Sequence, residues 1–397
     1  MTTVVGRESA DRTPTESEFT ADYGVIGLGS VGSMALWHLS STTDSVTGLE
    51  GGTFGHDNCA VGGDTRLYRR IYREGAEYEE VLQDSLDHWR KLEAESGRTV
   101  LEQTGMLSIV PRGSEDEGIL KGHAEEAGLD YTELTADEIA EAYPQFAVDE
   151  DSVGILDPQG GFLRTDVAVT TALGLSASHG ADLRARTVVT EVASDATGVT
   201  VSTDDGSRFR FRKVVITGGA RTVDLLPPET VSVFEPLRVP MTWFGMQNPD
   251  LFARGSFTVF GFRREDGSSV YGTCSIDGSM VKISGAIPNS PLEREGFEFD
   301  QTISMDERAL AGEVASTFFK GITPYPVRAT AYADLYSKDR APVIDWVDAH
   351  ERVLVASGFS GKGFKMSIGL GHIVSDVLLG VRDPDPLFVL DRPGLKD

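Results

Sequence analysis

Cysteine, histidine and basic residues are scarce in this 397-residue chain, and long apolar runs are missing altogether. The two cysteines, Cys59 and Cys274, have no metal-ligand spacing and fit a reducing compartment. The seven histidines are scattered without an HxxxH pair, so no metal site is indicated. Lys and Arg number 36 against 62 acids, a formal net charge of −26. That balance argues against nucleic acid or an anionic membrane as partner. No segment approaches the length needed to cross a bilayer. Residues 1–21, rich in Thr, Ser, Glu and Asp and without an apolar core, are expected to be a disordered tail rather than a secretory signal. The expected location is the cytoplasm. Internal repeats and low-complexity linkers are also absent, and a hydrophobic content of 40% is ordinary for a globular protein of roughly two or three domains.

What is present is concentrated between Tyr23 and Glu50. A short apolar run, Val25 and Ile26, enters Gly27-Leu28-Gly29-Ser30-Val31-Gly32, and a helical pattern of Met34, Leu36, Trp37 and Leu39 follows. A second apolar segment ends on Glu50. Strand, Gly-rich turn, helix and strand in this order form a dinucleotide-binding unit. Gly27 permits the turn, Gly29 lets a pyrophosphate approach the backbone, and Gly32 lets the helix pack close to the sheet. Ser30 and Val31 bring free N–H groups to the helix start, where phosphate is stabilised. An acid about 20 residues beyond the glycines accepts hydrogen bonds from a ribose, which disfavours NADP and leaves FAD and NAD open.

The rest of the chain alternates in character. A long Gly-rich connection, residues 51–65, ends in G-G-D-T-R, and Arg66, Arg69, Arg70 and Arg73 follow at helical spacing. Tyr78, Val81, Leu82, Leu86, Trp89 and Leu92 mark an amphipathic helix that stops at Gly97. Strand character over 99–110 precedes two polar helices, the second opening with the capping box Thr135-x-x-Glu138. A helix ending at Gly180, a strand over 183–192 and a hairpin lead to V-V-I-T-G-G-A-R, where Gly218 and Gly219 offer a second backbone approach to the cofactor. Residues 232–285 read as antiparallel strands with Asp266-Gly267 and Asp277-Gly278 turns. A helix capped by Ser304-x-x-Glu307 follows, then a strand over 352–356, the loop G-F-S-G-K-G-F and a helix over 365–380.

The segments G-D-T-R-L-Y-R-R-I-Y-R-E-G-A-E-Y (63–78), G-G-F-L-R (160–164), V-K-I (281–283) and G-F-S-G-K-G-F-K (358–365) resemble, in order, the monomeric sarcosine oxidase and N-methyltryptophan oxidase family. Fructosyl-amino-acid oxidases are relatives within the same D-amino-acid-oxidase-like class. The resemblance runs from Asp22 to about Asp385 and resolves the cofactor as FAD. The fold it implies is α/β plus antiparallel β: an FAD-binding Rossmann-like (GR2-type) domain, residues 22–99, 154–236 and 335–390, with an inserted, mainly antiparallel substrate domain, residues 100–153 and 237–334.

The resemblance also implies roles. Gly63, Asp64, Thr65, Val188, Gly361, Lys362, Gly363 and Phe364 join the FAD-binding set, and Arg66 lies against the flavin ring. Arg69 and Lys365 pair with a substrate carboxylate, Trp243 and Asp334 line the substrate pocket, and Lys282 serves the reaction with oxygen. An Arg fork beside a Lys suits carboxylate recognition, and a fixed cation favours electron transfer to O₂. The family's flavin-attaching cysteine falls at about Tyr332, its two histidines before G-D-T-R at Val61 and Gly62, its later active-site histidine at about Ala286, and a tyrosine at about Asp334. These departures point to non-covalent FAD and a pocket reshaped for something other than sarcosine. The implied protein is a monomeric FAD-dependent oxidase of an N-substituted α-amino acid (N-methyl, N-fructosyl or cyclic). It transfers hydride to flavin, releases an imine to hydrolysis and reduces O₂ to H₂O₂. Alternatives are a dehydrogenase using another acceptor, against which Lys282 speaks, and a non-catalytic nucleotide-binding module.

Overall fold

The computed structural model describes residues 19–296 and 298–395. The expected tail over 1–21 lies mostly outside them, but Phe19–Ala21 is fixed in place. Thr20 donates its N–H to the Arg210 carbonyl at 2.7 Å, the Arg212 guanidinium sits 4.9 Å from the Phe19 ring centre, and Ala21 already begins a strand.

Helices in chain order are α1 (Ser30–Ser40), α2 (Glu79–Ser96), α3 (Glu115–Glu126), α4 (Ala136–Ala142), α5 (Thr165–Ser178), α6 (Pro228–Val231), α7 (Met305–Phe318) and α8 (Ser367–Leu379). Local chemistry sets their ends. Thr135 with Glu138 and Ser304 with Glu307 form the reciprocal caps of α4 and α7, and Gly97, at φ 68°, stops α2 in the left-handed conformation.

In the first, eight-stranded sheet, strands 182–184, 46–49, 21–26, 208–216 and 353–357 lie side by side and parallel. Their ends at Ile26, Leu49, Ile216 and Ser357 open into the Gly-rich loops, so four backbone approaches converge on one sheet edge. Helix α1 covers this sheet with α5 and α8 beside it, burying Met34, Leu36, Trp37 and Leu39 almost completely. Contact between α1 and α8 is close enough that a Cβ on Gly371 would stand 2.7 Å from the Ala35 nitrogen.

The second sheet has nine strands and is antiparallel except where 259–263 runs parallel to 106–111. A third, three-stranded sheet joins 65–68, 161–164 and 101–102.

Several local readings need correction. The arginine segment is no helix, because Thr65–Tyr68 is a strand paired with Gly161–Arg164. Gly63 and Asp64 precede it with φ of 93° and 65°, which no right-handed helix can include. The strand over 183–192 is two strands, Asp182–Arg184 beside 46–49 and Val189–Asp195 in the hairpin. The strand over 99–110 is likewise divided between two sheets. Three strands that span the expected domain borders, Ser152–Asp157, Phe234–Phe244 and Arg328–Ser337, each lie wholly in the second sheet.

Candidate active site

At the converging strand ends lies a cleft, partly open to solvent, with about 1350 Å³ of space free of protein atoms when the open mouth is included. Gly27, Gly29, Ser30, Val31, Glu50, Arg66, Gly218, Gly219, Asp334, Gly361, Gly363 and Phe364 all line it.

The turn at its base is built for backbone approach. A Cβ on Gly32 would stand 1.9 Å from the Gly27 carbonyl oxygen, so Gly32 is what lets α1 seat on the strand end, although it is not on the wall itself. At Gly29 a Cβ would meet only Val61, at 3.8 Å, and would otherwise project into the cleft. No side chain caps the start of α1 and no acid lies in its first turn, leaving its positive end for an anion. Across the turn the Thr217 hydroxyl donates to the Gly27 carbonyl at 2.6 Å, fixing the two strand ends together.

Glu50 is buried and accepts from the Leu28 and Gly52 N–H groups, both at 2.8 Å, with His56 at 3.3 Å. Burial pushes its carboxyl up, but hydrogen bonds from His56, Gly52 and Leu28 outweigh that and hold it below the ordinary range. An ionised acceptor therefore stands on the cleft wall. Val188 is off the wall, and its neighbours Thr187 and Val189, one side of the extended chain, line the cleft instead.

Arg66 donates to the carbonyls of Thr65, Ala60 and Gly62 at 2.8, 2.6 and 2.7 Å. Burial lowers its pKa, opposed by Tyr271, Tyr332 and Asp334. Cys59 shares the wall, with its thiol pushed up to about 12 mainly by burial. Tyr332 is buried against Gly62 and Gly63, its hydroxyl without a partner.

The expected substrate residues divide between two places. Arg69 lies over the Tyr72 ring at 4.9 Å and makes no hydrogen bond or ion pair with any described residue. Lys365 is buried over the same ring at 4.3 Å, and its Nζ donates to the Lys362 carbonyl at 2.9 Å. Desolvation, then Arg69 and Lys362, hold the Lys365 amine well below its ordinary pKa. Lys362 itself turns away, with Nζ 3.5 Å from Glu74. Lys282, on strand Val281–Ser284, donates to the Gly63 and Thr65 carbonyls, both at 2.9 Å, with Trp243 beneath it at 5.2 Å. Asp64, Thr65, Trp243, Lys282 and Arg328 line a separate, smaller cavity. Trp243 and Asp334, expected in one pocket, therefore stand on different cavities.

Sequence reasoning missed Thr217, His56, Arg221 and Arg294 on the cleft wall, and Tyr271, whose charge environment includes both Arg66 and Arg69. No local spacing marks any of them.

A Gly-rich turn at the start of α1, an ionised acid after the second strand and further glycine approaches on the same edge mark a dinucleotide-binding protein. A profile of the FAD dependent oxidoreductase family, DAO, matches residues 22–377, and the chain belongs to that family. It is 28% identical over 380 residues to the N-methyl-L-tryptophan oxidase of Yersinia pestis (strain Pestoides F), covering 94% of this chain and 95% of that protein. Among solved structures it is similar to NikD, an unusual amino acid oxidase essential for nikkomycin biosynthesis, with TM-score 0.80, 23% identity and coverage of 92% of this chain and 95% of that one. It is also similar to fructosyl amine:oxygen oxidoreductase (Amadoriase I) from Aspergillus fumigatus, with TM-score 0.73, 17% identity and coverage of 93% and 88%. The protein is an FAD-dependent oxidoreductase, and the cradle at Gly29 and Gly32 with the ionised Glu50 fits that cofactor.

Proposed function

We propose that this enzyme oxidises an N-substituted α-amino acid, of N-methyl, N-fructosyl or cyclic type, and passes the electrons to O₂ to give H₂O₂. The observation that carries this reading is the pair Arg69 and Lys365. Two cations stand over the one Tyr72 ring, one of them with no acceptor among the described residues and the other with a single carbonyl. Charges so placed call for an external anion, and a carboxylate matches the guanidinium fork. The relatives that act on N-methyl-L-tryptophan and on fructosyl amines support the substrate class.

FAD would be held by the turn at Gly27, Gly29, Ser30 and Val31, by Glu50, and by the strand ends at Gly218, Gly219, Gly361 and Gly363. Bound there, it supplies a two-electron acceptor for hydride from the carbon beside the substrate nitrogen. Arg66, pinned by three carbonyls, contributes a fixed positive charge on the cleft wall. Arg69 and Lys365 fix the carboxylate and hence the angle of the reacting carbon. Lys282, held by the Gly63 and Thr65 carbonyls of the segment that carries Arg66, would add a positive charge that favours electron transfer to O₂. Cys59, kept protonated, and Tyr332, a phenol pushed up mainly by burial, are both poor nucleophiles, so the cofactor is held without a covalent link. Among the described residues no helix is long and apolar enough to cross a membrane. We place the enzyme in the cytoplasm as a monomer.

A peroxide assay over N-methyl, N-fructosyl, cyclic and primary amino acids tests the proposal, with a dye acceptor run in parallel. Peroxide from the secondary amines is the expected result. Turnover with the dye but not with O₂, or preference for primary amines, would overturn it. Acid precipitation should leave the yellow colour in the supernatant, and colour retained in the pellet would reveal a covalent link.

A further inference from the structure

Within the layer of α1, α2 and α8, away from the residues that line the cleft, the helix packing assembles a second cluster of ligating side chains. Asp84 and His88 are four residues apart on α2, and His372 and Asp376 are four apart on α8, so each pair shares one helix face. The two faces meet. His372 Nδ1 lies 3.1 Å from Asp84 Oδ2, His88 Nδ1 lies 3.3 Å from Asp84 Oδ1, and His372 Nε2 lies 3.7 Å from Asp376 Oδ2. One donor atom from each of Asp84, His88 and His372 falls within 4.8 Å of the others.

We infer that Asp84, His88 and His372 form a binding site for a divalent transition-metal ion of the zinc class. Two imidazoles and a carboxylate are a donor set that zinc accepts in tetrahedral geometry, with water in the fourth position. Bonds of about 2.0–2.1 Å place neighbouring tetrahedral donors roughly 3.3–3.4 Å apart, close to the two Asp84 contacts already made. The two rings stand 4.4 Å apart centre to centre, so closing on an ion needs side-chain rotation rather than helix movement.

The ordinary reading of the cluster is a hydrogen-bonded clasp between α2 and α8. Its composition argues for more. His38 of α1 packs against both rings at 4.7 and 5.0 Å, its Nε2 is 3.1 Å from the Ile368 carbonyl, and Lys91 adds a further positive charge nearby. These contacts gather three imidazoles from three helices in one place, more than a clasp between two helices requires. His372 and Asp84 keep about a third of their side-chain surface exposed, at 36% and 35%, which gives the ion a route from solvent. The ion would tie α2 to α8. Trp89 of α2 also donates to the Lys365 carbonyl at 3.2 Å, so the same two helices hold the segment that carries Lys365.

The test uses the flavin-loaded enzyme, treated with chelator, desalted and titrated with Zn²⁺ by calorimetry. One equivalent should bind, and zinc should raise the thermal midpoint. His88→Gln and His372→Gln should each weaken binding beyond the roughly 10–100-fold typical of outer-shell changes. Flavin content and turnover should be unchanged in both. Cu²⁺ on the unaltered enzyme supplies a reading that needs no variant: its paramagnetic resonance spectrum should show coupling to two nitrogens. No binding, equal binding by the histidine variants, or an oxygen-only copper spectrum would each overturn the site and assign any bound cation to the acidic surface.

Discussion

Lys282 and Lys365 are both buried, both stand over an aromatic ring and both have amines held well below their ordinary pKa, yet their surroundings differ in one respect. Two backbone carbonyls accept from Lys282, which leaves it one donor. Lys365 has one such acceptor and an unpaired guanidinium beside it, so it keeps two. A buried amine whose donors are taken up by fixed carbonyls is satisfied within the protein. One left short of acceptors is a receptor. Burial and pKa alone do not separate the two, and the count of fixed acceptors does.

The comparison can be broken in several ways. The largest effect is expected at the receptor: Arg69→Ala should raise KM by the equivalent of about 2–5 kcal/mol, the cost of removing one partner of a desolvated charge pair. Steady-state kinetics on flavin-loaded protein checks this, and an unchanged KM would remove Arg69 from the substrate site. Lys282→Met should slow reoxidation of the flavin by roughly 10²–10³-fold, comparable to losing one preorganised donor, while reduction by substrate is spared. Stopped-flow measurement of the two half-reactions separates these steps, and equal slowing would make Lys282 structural. Lys365→Met should cost about 1.5–3 kcal/mol in KM with little change in kcat, the range for a hydrogen bond to a charged group.

The pH profile sharpens the contrast. Lys365 loses its proton at lower pH than a free lysine, and only the protonated amine attracts a carboxylate. KM should therefore rise as pH increases through that pKa, and the rise should vanish in Lys365→Met. The smallest effect belongs to the shared ring. Tyr72→Leu should weaken substrate binding by no more than about 0.5–2 kcal/mol, through lost cation–π support.

The parts legible from sequence were those whose cause is local. Gly27 to Gly32 must turn and admit α1 whatever lies elsewhere, and Thr135 and Ser304 cap the helices that follow them. The arginines at 66, 69, 70 and 73 misled because periodicity carries no information about a partner strand: residues 65–68 are extended through pairing with 161–164, almost a hundred positions away. The histidine cluster was hidden for the same reason, since its members sit on three helices and no HxxxH spacing joins them. Lys282 stood out as a lone charge in an apolar strand, but its carbonyl partners at Gly63 and Thr65 are visible only in the fold.

The contact between Tyr332 and Gly62 bears on the order in which substitutions can accumulate. Built on Gly62, a Cβ would lie 2.1 Å from the Tyr332 ring. The small residue at 62 and the large one at 332 are thus one steric unit. Cysteine placed at 332 alone would leave a void where the ring packs, and histidine placed at 62 alone would collide with it. Exchanging the two residues one at a time would have to cross one of those two intermediates. The void is the passable one, because a buried gap lowers stability while a collision of that depth prevents the loop from closing.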